Sequence, residues 1–240
     1  MEAAISVHNL QKYYGAKIAV DGISFDVEKG TIFGLLGHNG AGKSTTLECI
    51  LGTKSFEKGS VLLLGQSPHQ NRKALFQRVG VQFQNAAYPN KIRVGEICEI
   101  CASLYQNAAD WKSLLEEFGL ADKLKAPVDS LSGGERQKLD ILLAVMHRPE
   151  AVFLDELTTG LDPMARRNVW QYIRGLKDSG VTVLLTSHYM DEVEQLCDKV
   201  AILSHGRIMV SGTVKQVISQ SGASNMDDAF ITFAKEAEAV

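Results

Sequence analysis

A glycine-rich segment near the N-terminus constrains the fold of this chain more than any other feature. Residues 37–45 fit the pattern G-x-x-x-x-G-K-[ST], which forms the phosphate-binding loop of nucleoside triphosphatases. A short apolar run at 31–36 predicts a buried strand before the loop, and residues 44–51 predict a helix after it. Because the motif requires a strand, a glycine loop and a helix in this order, the sequence predicts a site for a nucleoside triphosphate.

The chemistry of this loop assigns roles to its residues. Glycines let the backbone approach phosphate oxygens, so that N–H groups form an anion nest at the positive end of the following helix. Lys43 is expected to reach the β- and γ-phosphates, and the Ser44 hydroxyl to bind Mg²⁺. His38 occupies a variable position, where we expect a partly exposed loop side chain. The candidate phosphate-binding residues are Gly37, His38, Asn39, Gly40, Ala41, Gly42, Lys43, Ser44 and Thr45.

Composition and charge argue against several classes of protein. The 240 residues suffice for one domain with a large core, or for a core with a subdomain, and a hydrophobic fraction of 45% is ordinary for a globular protein. A net charge of −3 argues against a nucleic-acid partner, which usually requires a basic face. No apolar run approaches the length of about 18 residues that spans a membrane, and the N-terminus, with Glu2, lacks the apolar core of a secretion signal. We therefore expect a cytosolic protein that can dock on a membrane partner.

The cysteines offer a second chemical hypothesis. Cys98 and Cys101 form a C-x-x-C pair, which is typical of metal and redox sites. No second C-x-x-C or C-x-x-H pair accompanies it, and residues 94–105 have the apolar spacing of a helix. We therefore expect these cysteines, with Cys49 and Cys197, to be reduced and mostly buried.

The spacing of apolar residues divides the chain into segments. Short apolar runs that alternate with helical patterns predict an α/β fold, with a mostly parallel sheet covered on both faces. From residue 92 to about 125 the pattern is helical throughout, which indicates an insert in the core. Apolar residues on one face of its first helix are Ile97, Ile100, Cys101 and Leu104. The expected divisions are a core at 1–90 and 148–212, a helical subdomain at 91–147 and a helical tail at 213–240.

Two adjacent carboxylates end the apolar run at 151–154. Polar residues often mark only the exit of a strand to solvent, but beside a phosphate-binding loop an acid pair matches the needs of Mg²⁺ binding and hydrolysis. Asp155 is expected to position Mg²⁺ or its waters, and Glu156 to polarise the attacking water. Since side chains alternate along a strand, the two acids are expected to face different directions.

A second helix start combines a good cap with poor helix formers. Ser132 is a favourable N-cap, and Glu135 completes a capping box, so the segment is on one interpretation simply a well-capped helix. Gly133 and Gly134 disfavour a helix, however. They make sense if another phosphate approaches this backbone, and a second anion site far from the first suggests that it serves a second subunit.

Together these motifs resemble the nucleotide-binding domain of ABC transporters, and the resemblance covers nearly the whole chain. Residues 131–137 match the signature sequence of that family, with a phosphate-binding loop upstream and an Asp-Glu strand downstream. The resemblance implies a RecA-type P-loop core, an N-terminal antiparallel β subdomain and an inserted α-helical subdomain. It also implies ATP and Mg²⁺ as cofactors, and two such domains packed head to tail, each signature capping the γ-phosphate held by the other.

Further site residues follow from the resemblance one at a time. Tyr14 matches the aromatic residue that stacks on adenine, with Tyr13 as the neighbouring alternative and a strand-end aromatic as the simpler interpretation. Gln84 matches the glutamine that senses Mg²⁺ and touches the membrane subunit, with Gln82 as the alternative.

Two more positions of this sequence match functional loops of the family. Residues 159–162, which end in Asp162, match the loop that crosses the dimer interface. His188, at the end of a predicted strand, matches the switch histidine that contacts the γ-phosphate, although a structural role is the default for a lone histidine. The sequence departs from the family at Leu157, where proline is usual and would stiffen the turn.

The C-terminal part refines the functional hypothesis. Residues 225–233 predict a capped amphipathic helix, which on the simplest interpretation only packs against the domain, and the chain extends about 28 residues beyond Gly212, less than in many relatives. This ending and residues 186–194 resemble ABC subunits of exporters of drugs, peptides or lipids. The resemblance implies an ATPase subunit on the cytoplasmic face of the membrane, bound to integral membrane subunits, as a homodimer or as a heterodimer with a paralogue.

Two alternatives remain at this point. A soluble ABC ATPase of the translation type usually carries two such domains in one chain, and a repair type carries a long coiled coil between the motifs; neither fits this chain. A nucleotide-gated scaffold without hydrolysis is expected to lack Lys43 or Glu156, and both are present.

Overall fold

Two β-sheets form the framework of the protein in the computed structural model, which describes residues 2–83, 86–158 and 161–238. A six-stranded sheet has the order β5-β6-β7-β3-β8-β9, and a three-stranded sheet has the order β2-β1-β4. The strands are β1 (Ala3–Tyr14), β2 (Lys17–Glu28), β3 (Ile32–Leu36), β4 (Lys58–Leu63), β5 (Val79–Gln82), β6 (Ala151–Asp155), β7 (Thr182–Ser187), β8 (Lys199–Ser204) and β9 (Arg207–Thr213).

Helices cover the larger sheet and extend one end of the molecule. Those in the described part of the chain are α1 (Lys43–Ile50), α2 (Arg72–Leu75), α3 (Val94–Ser103), α4 (Trp111–Glu117), α5 (Gly133–Val145), α6 (Pro163–Asp178), α7 (Met190–Leu196), α8 (Val214–Ser221) and α9 (Met226–Glu238). None of these helices is both long and apolar enough to cross a membrane.

The larger sheet confirms the predicted α/β class. Neighbouring strands from β5 through β8 run parallel, and only β9 pairs antiparallel at the edge. Every residue of β3 and of β7 is buried, as expected for central parallel strands covered by helices on both faces. The three-stranded sheet is antiparallel throughout, in agreement with the predicted N-terminal β subdomain.

The register of the parallel strands brings the predicted motifs to one edge of the sheet. Leu36, the last residue of β3, pairs with Ser187 at the end of β7. Asp155, at the end of β6, pairs with Thr186 of β7. Because parallel strands end at the same edge, the phosphate-binding loop, the acid pair and the loop of His188 emerge side by side.

The helical segment between β5 and β6 has its own apolar packing, but not on the whole face that the sequence suggests. In α3, Ile97 and Cys98 are buried and Cys101 is half-buried. Ile100 is 51% exposed and Leu104 66% exposed. The buried residues of this helix therefore lie closer to its N-terminus than the sequence suggests, and two apolar side chains of the predicted face remain at the surface.

The cysteines match the simpler prediction, in which they are reduced. All four are free; Cys49 and Cys98 are buried, and the other two are half-buried. Burial raises the pKa of the Cys49 thiol to about 11 and that of Cys98 to about 12, so both are protonated and unreactive near neutral pH. Among the described residues, no group of three or more His, Cys, Asp or Glu side chains is arranged to hold a metal ion.

The C-terminal helices pack against the large sheet and α7. Met226 and Phe233 of α9 join a cluster with Met190, Val193 and Val217. Asn225 caps α9, since its Oδ1 accepts from the Asp228 N–H at 2.9 Å. The predicted capped helix is thus confirmed, and its apolar face is used in packing.

Candidate functional site

The phosphate-binding loop owes its shape to glycines at crowded positions. Gly42 has φ of 109°, and a Cβ there would lie 2.6 Å from the Ala19 carbonyl oxygen. A Cβ at Gly37 would lie 2.6 Å from the Leu203 carbonyl oxygen. No other residue fits these positions without moving backbone, so the loop is held in a fixed cradle by its neighbours. No side chain caps α1 at Gly42, which leaves the N-terminal N–H groups of that helix for an anion.

Lys43 is a buried cation inside this cradle. Only 5% of the residue is exposed, and its Nζ donates to the Gly37 carbonyl at 2.7 Å and to the His38 carbonyl at 3.2 Å. Burial lowers the pKa of the Lys43 ammonium, while the nearby charges of Glu156 and Asp155 raise it. The ammonium group is therefore held by the loop carbonyls, within the electrostatic influence of the acid pair.

Neighbouring loop residues differ in accessibility. Ser44 is exposed, so its hydroxyl is free to meet a metal ion, whereas the Thr46 hydroxyl donates to the Gly42 carbonyl and stiffens the start of α1. His38 is exposed, as the sequence suggests. Its ring lies edge-on to that of His205, with centroids 5.5 Å apart.

Asp155 is held by a residue that sequence reasoning missed. The Thr186 hydroxyl donates to Asp155 Oδ1 at 2.5 Å, and Thr186 also accepts the Glu156 N–H. Burial raises the pKa of the Asp155 carboxyl, and the Thr186 hydrogen bond opposes that rise. The signal for Thr186 is a hydroxyl residue directly after the apolar run at 183–185, but its partner is visible only once the register of β6 and β7 is known.

Glu156 and His188 face each other across the ends of β6 and β7. Glu156 has φ of 51°, a left-handed conformation that turns the chain sharply after Asp155. His188 Nδ1 lies 3.7 Å from Glu156 Oε1, and the Glu156 side chain is only 12% exposed. This turn points the two acids in different directions, as their adjacent positions suggest. The pair can hold a water molecule or a phosphate oxygen between a carboxylate and an imidazole.

Tyr14 and Tyr13 are distinguished by exposure. Tyr14 is 43% exposed, and the Nζ atoms of Lys12 and Lys54 lie 5.4 and 5.2 Å from its ring centroid. Tyr13 is half-buried, and its hydroxyl donates to Gln11 Oε1 at 2.9 Å. The ring that is available to stack on a flat ligand is therefore that of Tyr14.

The buried Gln82 side chain has a structural role, because it hydrogen-bonds the backbone of β6 and the backbone just after its own strand. It is 4% exposed, and its side-chain oxygen accepts the Asp155 N–H at 3.1 Å while its amide donates to the Phe83 carbonyl at 3.0 Å. Gln84, the predicted Mg²⁺-sensing residue, lies outside the described residues.

The predicted second anion site lies at the start of α5, and its cap is well formed. Ser132 is exposed; its Oγ accepts the Glu135 N–H at 3.3 Å, and Glu135 Oε2 accepts the Ser132 N–H at 2.8 Å. Hydrogen bonds from Ser132 and the ammonium of Lys123 lower the pKa of the Glu135 carboxyl to about 2. The capping box is thus ionised and complete under all ordinary conditions.

Neither of the two glycines after this cap is crowded: Gly133 is exposed and Gly134 is half-buried. A Cβ at Gly133 would meet nothing within 4 Å, and a Cβ at Gly134 would make only ordinary contact, 3.5 Å from the Ala165 Cβ. Packing within the chain therefore does not require glycine at either position, although glycine costs a helix roughly 1 kcal/mol relative to alanine.

An open cleft joins this helix start to the start of α6. Asp162 caps α6, because its Oδ1 accepts the N–H groups of Met164 and Ala165 at 2.9 and 3.0 Å. Met164, beside it, is 69% exposed. Thr159 and Gly160 of the predicted interface loop lie outside the described residues. The residues that line the cleft are Ser132, Gly133, Gly134, Glu135, Lys138, Asp162, Met164, Ala165 and Asn168.

Known proteins share both the sequence and the fold of this chain. A family described as ABC transporter matches residues 20–159. The Nod factor export ATP-binding protein I of Ralstonia nicotianae is 39% identical over 220 residues, covering 90% of this chain and 68% of that protein. The linearmycin resistance ATP-binding protein LnrL of Bacillus subtilis is 35% identical over 226 residues, covering 91% of this chain and 72% of that protein. A solved ATP-binding subunit of an ABC transporter aligns with a TM-score of 0.88 at 26% identity, over 96% of this chain and 99% of that one.

Proposed function

The chain belongs to the ABC transporter family, and we propose that it powers an exporter through ATP-dependent closure of a dimer. It is an ATPase subunit of a membrane transporter. Relatives named for Nod factor export and for daunorubicin and linearmycin resistance support export as the direction of transport. The subunit would then lie at the cytoplasmic face of the membrane, attached to integral membrane subunits.

The observation that carries the dimer proposal is a pair of glycines at the start of α5, of which Gly133 is exposed and Gly134 half-buried. Gly133 and Gly134 begin α5 without any demand from the packing of their own chain. An exposed Met164 and the capped start of α6 adjoin them in one cleft. Glycines disfavour a helix but leave its backbone accessible, so this surface is suited to a phosphate that is bound to another chain. In the proposed dimer, that phosphate is the γ-phosphate of ATP bound to the phosphate-binding loop of the other subunit.

The phosphate-binding loop and the acid pair form the first half of the proposed shared site, and we call them the enclosed half-site. Their residues fit ATP with Mg²⁺. Exposed hydroxyl and buried carboxylate oxygens, from Ser44 and Asp155, are hard ligands of the kind that Mg²⁺ prefers, and Gln84 would add an amide oxygen. Mg²⁺ would neutralise phosphate charge when bound. Lys43 would bind the β- and γ-phosphates, and Tyr14 would stack on adenine.

Glu156 and His188 are proposed to carry the hydrolytic step. Glu156 would accept a proton from the water that attacks the γ-phosphate, and His188, within 3.7 Å of that carboxylate, would hold the γ-phosphate. Closure is favoured because ATP contacts both subunits, and loss of the γ-phosphate removes the bridge between them. The ligand thus shifts the population between open and closed states.

The membrane subunit is proposed to dock between the core and the helical segment. Exposed Phe83 lines a cavity between the two parts with half-buried Tyr88 and Cys101, and Ile100 and Leu104 are exposed on the helix that carries Cys101. Apolar side chains at a surface are suited to the apolar face of a partner helix.

Co-expression with the membrane protein encoded beside this chain would test the transport proposal. We expect co-purification with a protein of about six apolar helices, each about 20 residues long. Replacing Leu104 and Ile100 with glutamate should abolish that association, whereas the same change at exposed Met164 should leave it intact. Association that survives the Ile100 and Leu104 changes would contradict the docking surface, and the absence of any co-purifying membrane protein would contradict the transport role.

A further inference from the structure

A buried carboxylate behind the site joins elements that the hydrolytic groups depend on. Glu192 lies in the first turn of α7 and is 1% exposed. Its Oε2 accepts the Ser187 hydroxyl at 2.6 Å, and its Oε1 accepts the Trp170 indole N–H at 3.2 Å. A carboxylate is costly to bury, so a chain that buries one must satisfy it with hydrogen bonds.

The bond to Ser187 reaches His188 through the backbone. The Ser187 oxygen that donates its proton to Glu192 also accepts the Tyr189 N–H at 3.0 Å. His188 lies between these two residues, so this small turn fixes the direction in which the imidazole leaves β7. Ser187 itself is 1% exposed, and the other acceptor near its hydroxyl, the Tyr189 carbonyl at 3.4 Å, is more distant than Glu192.

The same carboxylate faces the loop that follows Glu156. The Thr158 hydroxyl is buried and approaches Glu192 closely enough to favour the ionised carboxylate, although not in the geometry of a standard hydrogen bond. The charge of Arg166 on α6 has the same effect, while burial raises the pKa of Glu192. Glu192 thus lies among the ends of β6 and β7 and the face of α6.

A second contact path supports the same arrangement. The Arg166 guanidinium lies 4.5 Å from the centroid of the Tyr189 ring and pairs with Asp191 at 3.1 Å. The Tyr189 ring in turn packs against that of His188, with centroids 4.2 Å apart. The side chains around His188 are therefore fixed to α6 and α7 on both sides of the imidazole.

We propose that Glu192 is a positioning residue for hydrolysis, which holds His188 through Ser187 and keeps it aligned with the turn that carries Glu156. This inference rests on the roles proposed above for His188 and Glu156. Because Glu192 is 1% exposed, it would act not by touching nucleotide but by fixing the separation of His188 and Glu156.

The test is Glu192→Gln, which keeps the size of the side chain but replaces one acceptor oxygen by a donor. Turnover of ATP by the full chain should fall about 10- to 100-fold, because displacements of about an ångström at a reacting site have effects of that size. The dissociation constant of ATP should stay within about threefold, since Lys43 and its loop are untouched. Glu116→Gln, an exposed change on α4, is the matched control and should leave both quantities unaltered.

A double-mutant cycle separates positioning from general stability. Ser187→Ala should lower turnover as Glu192→Gln does, and the double variant should lose no more than the larger single loss. Losses that multiply, a fall in ATP affinity that parallels the fall in turnover, or turnover within about threefold of the parent would overturn the proposal. If Glu192→Gln does not fold, Ser187→Ala alone decides by the same criteria.

Failure of this inference differs from failure of the proposed function. If His188→Ala and Glu156→Gln retain full turnover, the assignment of the hydrolytic groups is wrong. If those two variants lose turnover while Glu192→Gln and Ser187→Ala retain it, only the positioning role is wrong.

Discussion

The two predicted phosphate sites of this chain are built in opposite ways. The loop around Lys43 is enclosed: Gly37 and Gly42 are crowded by backbone of the same chain, and the Lys43 ammonium is buried against the loop carbonyls. The start of α5 is open, with an exposed Ser132 and a Gly133 that contacts nothing on the side where a Cβ would stand. The enclosed site is preorganised by its own chain. The open site, where the N-cap of α5 is already complete, is available to bind a surface of another molecule. On the proposed function, the enclosed site would determine whether ATP binds, and the open site would determine when it is hydrolysed.

Replacing Glu156, the proposed general base, has the largest expected effect on ATP turnover. It tests the role of the enclosed half-site in hydrolysis. Glu156→Gln should lower turnover by about 10²- to 10⁴-fold, because a positioned general base contributes that much, while ATP affinity is retained. Single-turnover hydrolysis measures the rate and equilibrium dialysis the affinity. Glu116→Gln, an exposed change on α4, is the control. Unaltered turnover of the Glu156 variant would remove the base assignment.

Lys43→Ala tests whether the enclosed half-site alone determines binding. Truncating a buried charge that meets phosphate should cost about 2–5 kcal/mol of binding free energy. Titration with a fluorescent ATP analogue measures the loss, and exposed Lys58→Ala serves as the matched control. Binding that is unchanged in the Lys43 variant would contradict the loop assignment.

Ser132→Arg tests the open half-site in isolation. A bulky cation at the start of α5 should prevent this helix start from capping the γ-phosphate held by a second subunit and lower turnover about a hundredfold, with ATP binding by the single chain unaltered. Loss of the cap would also cost about 1 kcal/mol of stability, measurable as a lower Tm. Ser130→Arg, exposed and two residues earlier, is the control. Normal turnover of the Ser132 variant would mean that this helix start takes no part in hydrolysis.

Tyr14→Ala has the smallest expected effect, because base stacking adds affinity without controlling the chemistry. The loss should be about 1–3 kcal/mol in ATP binding, the usual size of one stacked base, and turnover at saturating ATP should be preserved. Tyr13→Ala is the comparison. A larger loss of ATP affinity in Tyr13→Ala than in Tyr14→Ala would mean that the half-buried Tyr13 stacks on adenine.

What the sequence predicts well is local. The strand, loop and helix around Lys43 need only short-range information, and alternating apolar runs were enough for the α/β class. The contact of Thr186 with Asp155 and the approach of His188 to Glu156 depend on which strands are neighbours, and periodicity does not carry that information.

The apolar face of α3 was misleading for a related reason. Helical spacing groups Ile97, Ile100 and Leu104, but only the tertiary packing decides how much of such a face is covered. The exposed part is the surface proposed for the membrane subunit. Apolar spacing that serves a partner is indistinguishable in one sequence from apolar spacing that serves the core.

Mixing two inactive variants tests the central claim most directly, namely that each ATP site is shared between two chains. Lys43→Ala lacks a working phosphate-binding loop, and Ser132→Arg lacks a working α5 start, so each alone should be inactive. In an equal mixture, half of the dimers combine the two chains, and each such dimer has one intact site, which predicts about a quarter of the parental ATPase activity. Activity that stays at the level of the separate variants at every mixing ratio would contradict the shared site.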